Sequence, residues 1–527
     1  MKLFRFYPTL LIITALSSVF ACSGNGSHSA EDREALFDYI VEKTIEREAF
    51  SPVKNDALNF DPIEEMKKYR DEVIAADTDE KLYYALVKLS NARKDRHLSV
   101  SRLQDGLKVV EYDDTEIPVK FAVDYGTTGE YFLFISDFAE NIADYSDGTA
   151  PETGDKLTAV NGQAFEDYFK ASMSYYRYST VNGLWWKFAE GLSVKDNNFP
   201  PEFYKNDMTY SFEKITGEHY SVTLPYLDSE TINWMGYWKK QGDFSYPGFE
   251  KLFSVQTYDL YKATDGNNVL LLDWYGFRED LVTDMDLLID YADENGLLDY
   301  ALILDATRSR GGSKGAYAIQ KLVSKPFKTT FGNLRISDVT APFIQERIIA
   351  YNAEKIEDSG VKETIDDGSW LIDWLKTDVT ESMLAGDEYS NNVPFKCAHL
   401  PKDSDGFLQP AEIHFSGPLV CFLGPDGGSH LDQFAAIVVE NNLCHVIGMP
   451  AGGYSNTWEW EEYLVFPTSK KPVVTFMWNI GHTISPKGYI LEGNPTQVHD
   501  YISLTRDNYI DYYKIMIDRA YEYFGLK

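Results

Sequence analysis

Residues 417–453 read GPLVCFLGPDGGSHLDQFAAIVVENNLCHVIGMPAGG, and this stretch decides the fold. Pro418–Leu423 is a short apolar run, and Gly424 to Gly428 form a glycine-rich turn. Ser429 then opens a segment whose apolar residues, Leu431, Phe434, Ala435, Val438 and Val439, recur at helical spacing. A second apolar run, Leu443–Ile447, closes before another glycine-rich turn. The pattern predicts strand, tight turn, serine, helix, strand. Such a turn sets a hydroxyl at a helix N-terminus, beside unpaired backbone N–H groups and the positive end of the helix dipole. Those donors also suit a developing oxyanion. Ser429-His430-Leu431-Asp432 equally fits a capping box, in which the serine only closes the helix. Both readings stand on this stretch alone.

The rest of the chain sets the context. Its 527 residues suffice for roughly three domains. A net charge of −33 argues against nucleic acid and against charge-driven adhesion to anionic lipid. Lys2 and Arg5 precede an apolar run, Leu10–Phe20, too short to span a bilayer, so residues 1–22 read as an export signal. Val19-Phe20-Ala21-Cys22 resembles a bacterial lipobox, with Cys22 as the lipidated residue, residues 23–31 as a polar tether, and simple signal cleavage as the alternative. Membrane contact is then expected only through that anchor, with the chain exported and held at the cell envelope. Beyond Cys22 there are only Cys397, Cys421 and Cys444, with no CxxC and no zinc spacing, so neither a metal nor another cofactor is indicated. Cys421 and Cys444 fall in the apolar runs, where buried free thiols are the default.

Residues 32–104 are helical in pattern (EALFDYIVEKTIE, EKLYYALVKLSNARKD) and end in Lys94-Asp95-Arg96-His97-Leu98-Ser99-Val100, where a histidine leaves a helix for an extended run. Such a histidine is a structural residue or a general base poised near neutral pH. Residues 105–235 are strand-rich, and from 250 to 527 strands and helices alternate. Within that part Tyr300–Leu304 is followed by Asp305-Ala306-Thr307-Arg308-Ser309-Arg310-Gly311-Gly312, a strand whose carboxyl end lets backbone approach a ligand. Residues 330–415 break the alternation as an excursion, which we read as a candidate cap over a cleft.

Five phrases in this order, KDRHLSV, TGDKLTAVNG, LILDATRSRGG, GPDGGSHLDQFAA…VIGMPAGG and LEGNP, resemble the tail-specific, or carboxy-terminal processing, serine peptidase family. The resemblance implies an α/β, ClpP/crotonase-like spiral core with a helical N-terminal domain and a β-rich PDZ-like domain, the latter either binding an extended peptide or purely structural. It also implies roles. Ser429 matches the nucleophile, with Asp432 where the family has Glu. Tyr454 stands where one branch carries a catalytic lysine, and Lys470 and Lys471 lie well past it. The tricorn-type branch instead uses a distant histidine, which His97 matches, and an acid, which Glu492 matches. Serine needs an adjacent base and the base an orienting partner. The oxyanion would be held by backbone N–H groups of His430 and of Gly311 or Gly312. Thr307 and Ser309 occupy the Arg and Asn places of the family's Asp…Gly-Gly phrase. The implied activity is hydrolysis of peptide bonds in protein or peptide substrates. Two alternatives remain: an inactive peptide- or small-ligand-binding lipoprotein on the same scaffold, and a site whose base is His430 or His482. The oligomeric state is not legible.

Overall fold

The protein is described by a computed structural model covering residues 28–146, 149–236, 245–278, 280–357, 369–394, 405–456 and 458–527, except the side chains of 351–357 and 369–370. The export signal, Cys22, the first part of the tether and Cys397 lie outside the described residues. Among the described residues, no helix is long and apolar enough to cross a membrane.

A seven-stranded sheet forms the centre, in the order Phe249–Ser254, Tyr258–Ala263, Val269–Trp274, Ala301–Asp305, Leu419–Leu423, His445–Gly448, Asp500–Tyr501. The first two strands are antiparallel, and the last five run parallel. Parallel strands covered on both faces read as continuous apolar runs, and VLLLDW, ALILD and LVCFL are buried throughout. One face, with Leu272, Leu304 and Leu423, packs under the helices Asp280–Glu294, Gly315–Leu322 and His430–Glu440. The other, with Leu271, Ile303 and Phe422, packs with Met516, Ile517 and Ala520 of the terminal helix Tyr512–Phe524. Cys421 and Cys444 are buried free thiols in this core.

Five helices, from Ala30–Arg47 to Asp79–Asn91, lead the chain. They end where Val100–Arg102 joins the hairpin Glu459–Val465/Pro472–Asn479 as a third strand, with Val100 opposite Phe476. That pairing ties the start of the chain to its end. Trp478, fully buried, reinforces it by donating to Thr44 Oγ1 at 3.0 Å. A separate antiparallel sheet, Val119–Asp124, Phe132–Phe138, Lys156–Val160, Asp207–Glu213 and His219–Pro225, carries the helices Phe165–Ser172 and Val181–Gly191. It is joined to the centre by Tyr125 N–H donating to Leu504 O (2.9 Å) and Thr180 Oγ1 to Gly452 O (3.1 Å). In the irregular region after 330, Phe331–Gly332 pairs with Val393–Pro394 and with Thr483–Ile484. Asp338 there takes Arg47 and Lys43, and Phe343 packs on Trp458, so this excursion leans on the first helix and the hairpin.

Candidate active site

The site is built outward from the turn after Leu419–Leu423. Ser429 stands at φ +61°, ψ −122°, a conformation that a residue with a side chain rarely adopts and that costs on the order of 1–3 kcal/mol. The turn is held by Ser429 N–H donating to Tyr454 O at 2.7 Å. The capping-box expectation fails here. The Ser429 side chain makes no cap bond, and the Asp432 carboxylate accepts from Gly453 N–H at 3.2 Å, pinning the next loop to the helix. With its backbone turned this way, Ser429 aims its hydroxyl away from its own helix and toward His97, whose Nε2 lies 3.2 Å from Oγ.

Long-range structure delivers His97. The helix Asp79–Asn91 ends six residues before it, and Val100 is already in register with Phe476. Arg96 N–H donates to Ser179 Oγ at 3.1 Å, its guanidinium donates to Asp426 O at 3.0 Å, and it covers the Tyr454 ring at 4.3 Å. The same Tyr454 ring meets the imidazole edge-on at 5.1 Å. Tyr454, at the expected lysine position, is therefore the aromatic support of the histidine.

Behind the imidazole lies a buried charged cluster. Asp95 Oδ1 accepts His97 N–H at 2.9 Å and sits 4.0 Å from the ring's Nδ1. Asp95 Oδ2 accepts from Asn456 Nδ2 at 3.1 Å. Glu492 accepts Ser455 N–H at 2.8 Å and Lys54 Nζ at 3.1 Å. Burial alone would raise Asp95, but Lys54 and His97 outweigh it and hold the carboxyl below its ordinary range. Burial, with Asp95 beside it, pushes Glu492 up, against the pull of Lys54 and His97. Asp95, His97 and Glu492 each bring one donor atom within 4.8 Å of the others. The Lys54 ammonium rests on Glu492, which makes this an ion-paired cluster. Asp95 and Lys54 were not singled out in the sequence. For Asp95 the signal was Asp-x-His in an extended run; for Lys54 there was none.

The opposite side of Ser429 is backbone. A Cβ on Gly311 would lie 2.5 Å from Ser429 Cβ, 2.6 Å from Oγ and 3.2 Å from His430 N, so the Gly311 main chain faces both the hydroxyl and the first N–H of the helix. Gly312 instead packs against the Phe277 carbonyl, 2.1 Å from where its Cβ would be, in a short strand pairing. The turn before them is fastened by Asp305, which accepts Thr307 N–H (3.0 Å), Thr307 Oγ1 (2.6 Å) and Tyr246 OH (2.5 Å). Arg308 reaches Asp273 at 2.8 Å; of the two altered residues, Thr307 is fastened to Asp305, whereas the buried Ser309 hydroxyl has no hydrogen-bond partner among the described residues.

His430 and His482, the alternative bases, each have a ring nitrogen engaged by backbone. His430 Nε2 accepts Gly315 N–H at 2.9 Å, and its ring packs on Phe277. His482 Nε2 donates to Phe50 O at 3.0 Å, and burial lowers the ring's pKa. Both rings serve as backbone clamps.

No protein-family model matches the chain, and no curated protein matches it in sequence. Solved structures do match its fold along almost the whole length. The crystal structure of mature CPAF superposes with a TM-score of 0.67 at 14% identity, covering 93% of this chain and 96% of that one. Mature CPAF complexed with lactacystin gives 0.65 at 14% identity, over 93% and 98%. The CPAF s499a mutant gives 0.65 at 13%, over 93% and 96%. At such identities the likeness is one of fold.

Proposed function

We propose that this chain is a serine-type peptidase of the tail-specific kind, nearest the tricorn-type branch. The observation that carries the proposal is the 3.2 Å contact between Ser429 Oγ and His97 Nε2, made by a serine in a turned-out conformation at a helix start. It lies within the reach that proton transfer between nucleophile and base requires. The motif order and the CPAF-like fold support the same reading.

In this proposal His97 takes the Ser429 proton as Oγ attacks the scissile carbonyl carbon. The oxyanion that forms is received by His430 N–H and the Gly311 main chain, set where negative charge develops. His97 then gives the proton to the leaving amine, which departs from the acyl-enzyme, and a water activated by His97 releases the acyl group. Asp95 and Glu492 balance the imidazolium of both steps. The substrates are extended segments of exported proteins, the chain being anchored through Cys22. Residues 32–104, 105–235 and 250–527 act as a helical domain, a PDZ-like domain and the peptidase core.

The test is labelling of the full chain with a fluorophosphonate probe, with lactacystin, the compound bound in the CPAF complex, as competitor. Ser429 is expected to be labelled, lactacystin to block it, and Ser429→Ala and His97→Ala each to lower cleavage of an unfolded protein by at least about 10³-fold. A folded chain whose Ser429 stays unlabelled and that cleaves nothing overturns the proposal in favour of a binding protein, and cleavage that survives Ser429→Ala overturns Ser429 as the nucleophile.

A further inference from the structure

We propose that Lys54 is a positioning residue for this site: its ammonium, brought in by the N-terminal helical region, locks Glu492 beside Asp95 so that the cluster presents one net negative charge to His97. The inference rests on the peptidase reading for its role in turnover, though not for its electrostatics.

The geometry is specific. Lys54 lies in the short helix Pro52–Leu58, is 4% exposed, and places Nζ 3.1 Å from Glu492 Oε1, itself 2% exposed. Gly493, at φ +69°, makes room for the lysine stem: a Cβ there would fall 2.3–2.4 Å from Lys54 Cβ, Cγ and Cδ. The segment just before the helix is tied down twice. Ala49 N–H donates to Asn479 O at 2.7 Å, and His482 clamps Phe50 O. A buried ammonium is tolerated only when it is paired, and here two carboxylates and one ammonium leave a single negative charge behind the imidazole.

The surrounding charges do not supply this balance. Glu48 is paired with Arg93 at 3.0 Å. Arg96 is engaged with Asp426 across Tyr454. The Asp432 carboxyl is pushed well up by burial and by Glu492, and it is engaged with Gly453 N–H. Arg177 interacts with Asp196 ahead of Asp95, and burial disfavours its charge. Lys54 is therefore the cation that Asp95 and Glu492 share; the shift of Asp95 downward, chiefly by Lys54 against burial, agrees with this.

The signs of charge give a test that a merely structural lysine would not pass. The His97 ring is followed by NMR in the full chain carrying Ser429→Ala and ¹³C-labelled histidine, with His97→Gln for assignment. Lys54→Met removes a positive charge, so the His97 titration midpoint should rise by about one pH unit. Glu492→Gln removes a negative charge and should lower it by about as much. The double variant should return it to within a few tenths of a unit of the starting value, and Lys54→Arg should leave it there. In the active chain the acid limb of kcat/KM should move in the same directions. If Lys54→Met does not fold alone, the double variant, which removes both buried charges, and Glu492→Gln still decide. An unmoved midpoint in Lys54→Met, or a double variant that keeps the Glu492→Gln shift, overturns the assignment and leaves the peptidase reading standing. Midpoints that move as stated in a chain that cleaves nothing overturn the peptidase reading and leave the electrostatic role of Lys54 standing.

Discussion

Two walls meet at the Ser429 hydroxyl, and they are made of different material. One is main chain: Gly311, the start of the helix His430–Glu440, and the turn fastened by Asp305. The other is side chain: His97, Asp95, Glu492 and Lys54, drawn from both ends of the sequence. The first is fixed by sheet register, since Asp305 pairs with Phe422 at the ends of neighbouring parallel strands. The second is fixed by contacts such as Val100 with Phe476 and Lys54 with Glu492. The main-chain wall has no room for an added atom, because protein interiors are close-packed. The charged wall can change by a proton or a single charge and still stand. Damage to the first should thus be abrupt, and damage to the second graded.

The largest effect is expected at Gly311. A Cβ 2.5 Å from Ser429 Cβ forces the strand or the serine to move. Gly311→Ala should lower kcat/KM by about 10³-fold, the upper range for losing an oxyanion donor, and abolish fluorophosphonate labelling. Circular dichroism should show a folded chain, because the displacement is local. If Gly311→Ala retained a tenth of the activity, the main-chain wall would be softer than its packing indicates.

A smaller and graded effect is expected in the charged wall. Asp95 touches His97 through its backbone N–H and lies 4.0 Å from Nδ1, whereas Glu492 is held by Lys54 and Ser455. Asp95→Asn should lower kcat by about 10²-fold, and Glu492→Gln by about tenfold, within what support of a general base contributes. The motif order singled out Glu492 as the acid. A larger loss in Glu492→Gln than in Asp95→Asn would restore that assignment and demote Asp95 to a fold-holding role.

The difference between the walls also decides what the sequence revealed. The strand–turn–serine–helix unit is local, so its periodicity and glycines foretold the α/β centre, with Pro418–Leu423 and Leu443–Ile447 read as strands where the sheet has Leu419–Leu423 and His445–Gly448, and Tyr300–Leu304 where it has Ala301–Asp305. The serine's role was ambiguous because a cap and a nucleophile share one sequence signature; only the backbone angles at Ser429 separate them. His97 and Glu492 were reached through resemblance alone, since nothing in the spacing of residues 97, 429 and 492 states that they meet. Lys54 lay beyond any pattern: a lysine in a seven-residue helix looks like a solvated side chain until the turn at Glu492 and Gly493 closes over it. His430 misled for a related reason. A histidine beside a candidate nucleophile suggests a base, but its ring is committed to the N–H of Gly315.

The smallest expected effect concerns a residue that supports the charged wall from outside. His482 holds the loop before Lys54 by donating to Phe50 O, and burial lowers its pKa below the ordinary 6.5. In the folded chain it therefore resists protonation, while in the unfolded chain it takes up a proton as pH falls through about 6.5. The stability it contributes is present above that pH and is lost as pH falls from there toward the folded-state value, because the unfolded state then binds more protons. His482→Gln keeps an N–H donor for Phe50 O but does not titrate. Urea unfolding between pH 7.5 and 5 should show the variant's unfolding free energy close to wild type, or lower by roughly 1 kcal/mol, at the upper end. Its decline toward pH 5 should be shallower by up to about 1.4 kcal/mol per pH unit. Parallel declines in the two proteins would mean that His482 titrates alike folded and unfolded. The loop carrying Lys54 would then be held by Ala49, Asn479 and the ion pair itself, and the charged wall would be self-supporting in the way the main-chain wall is.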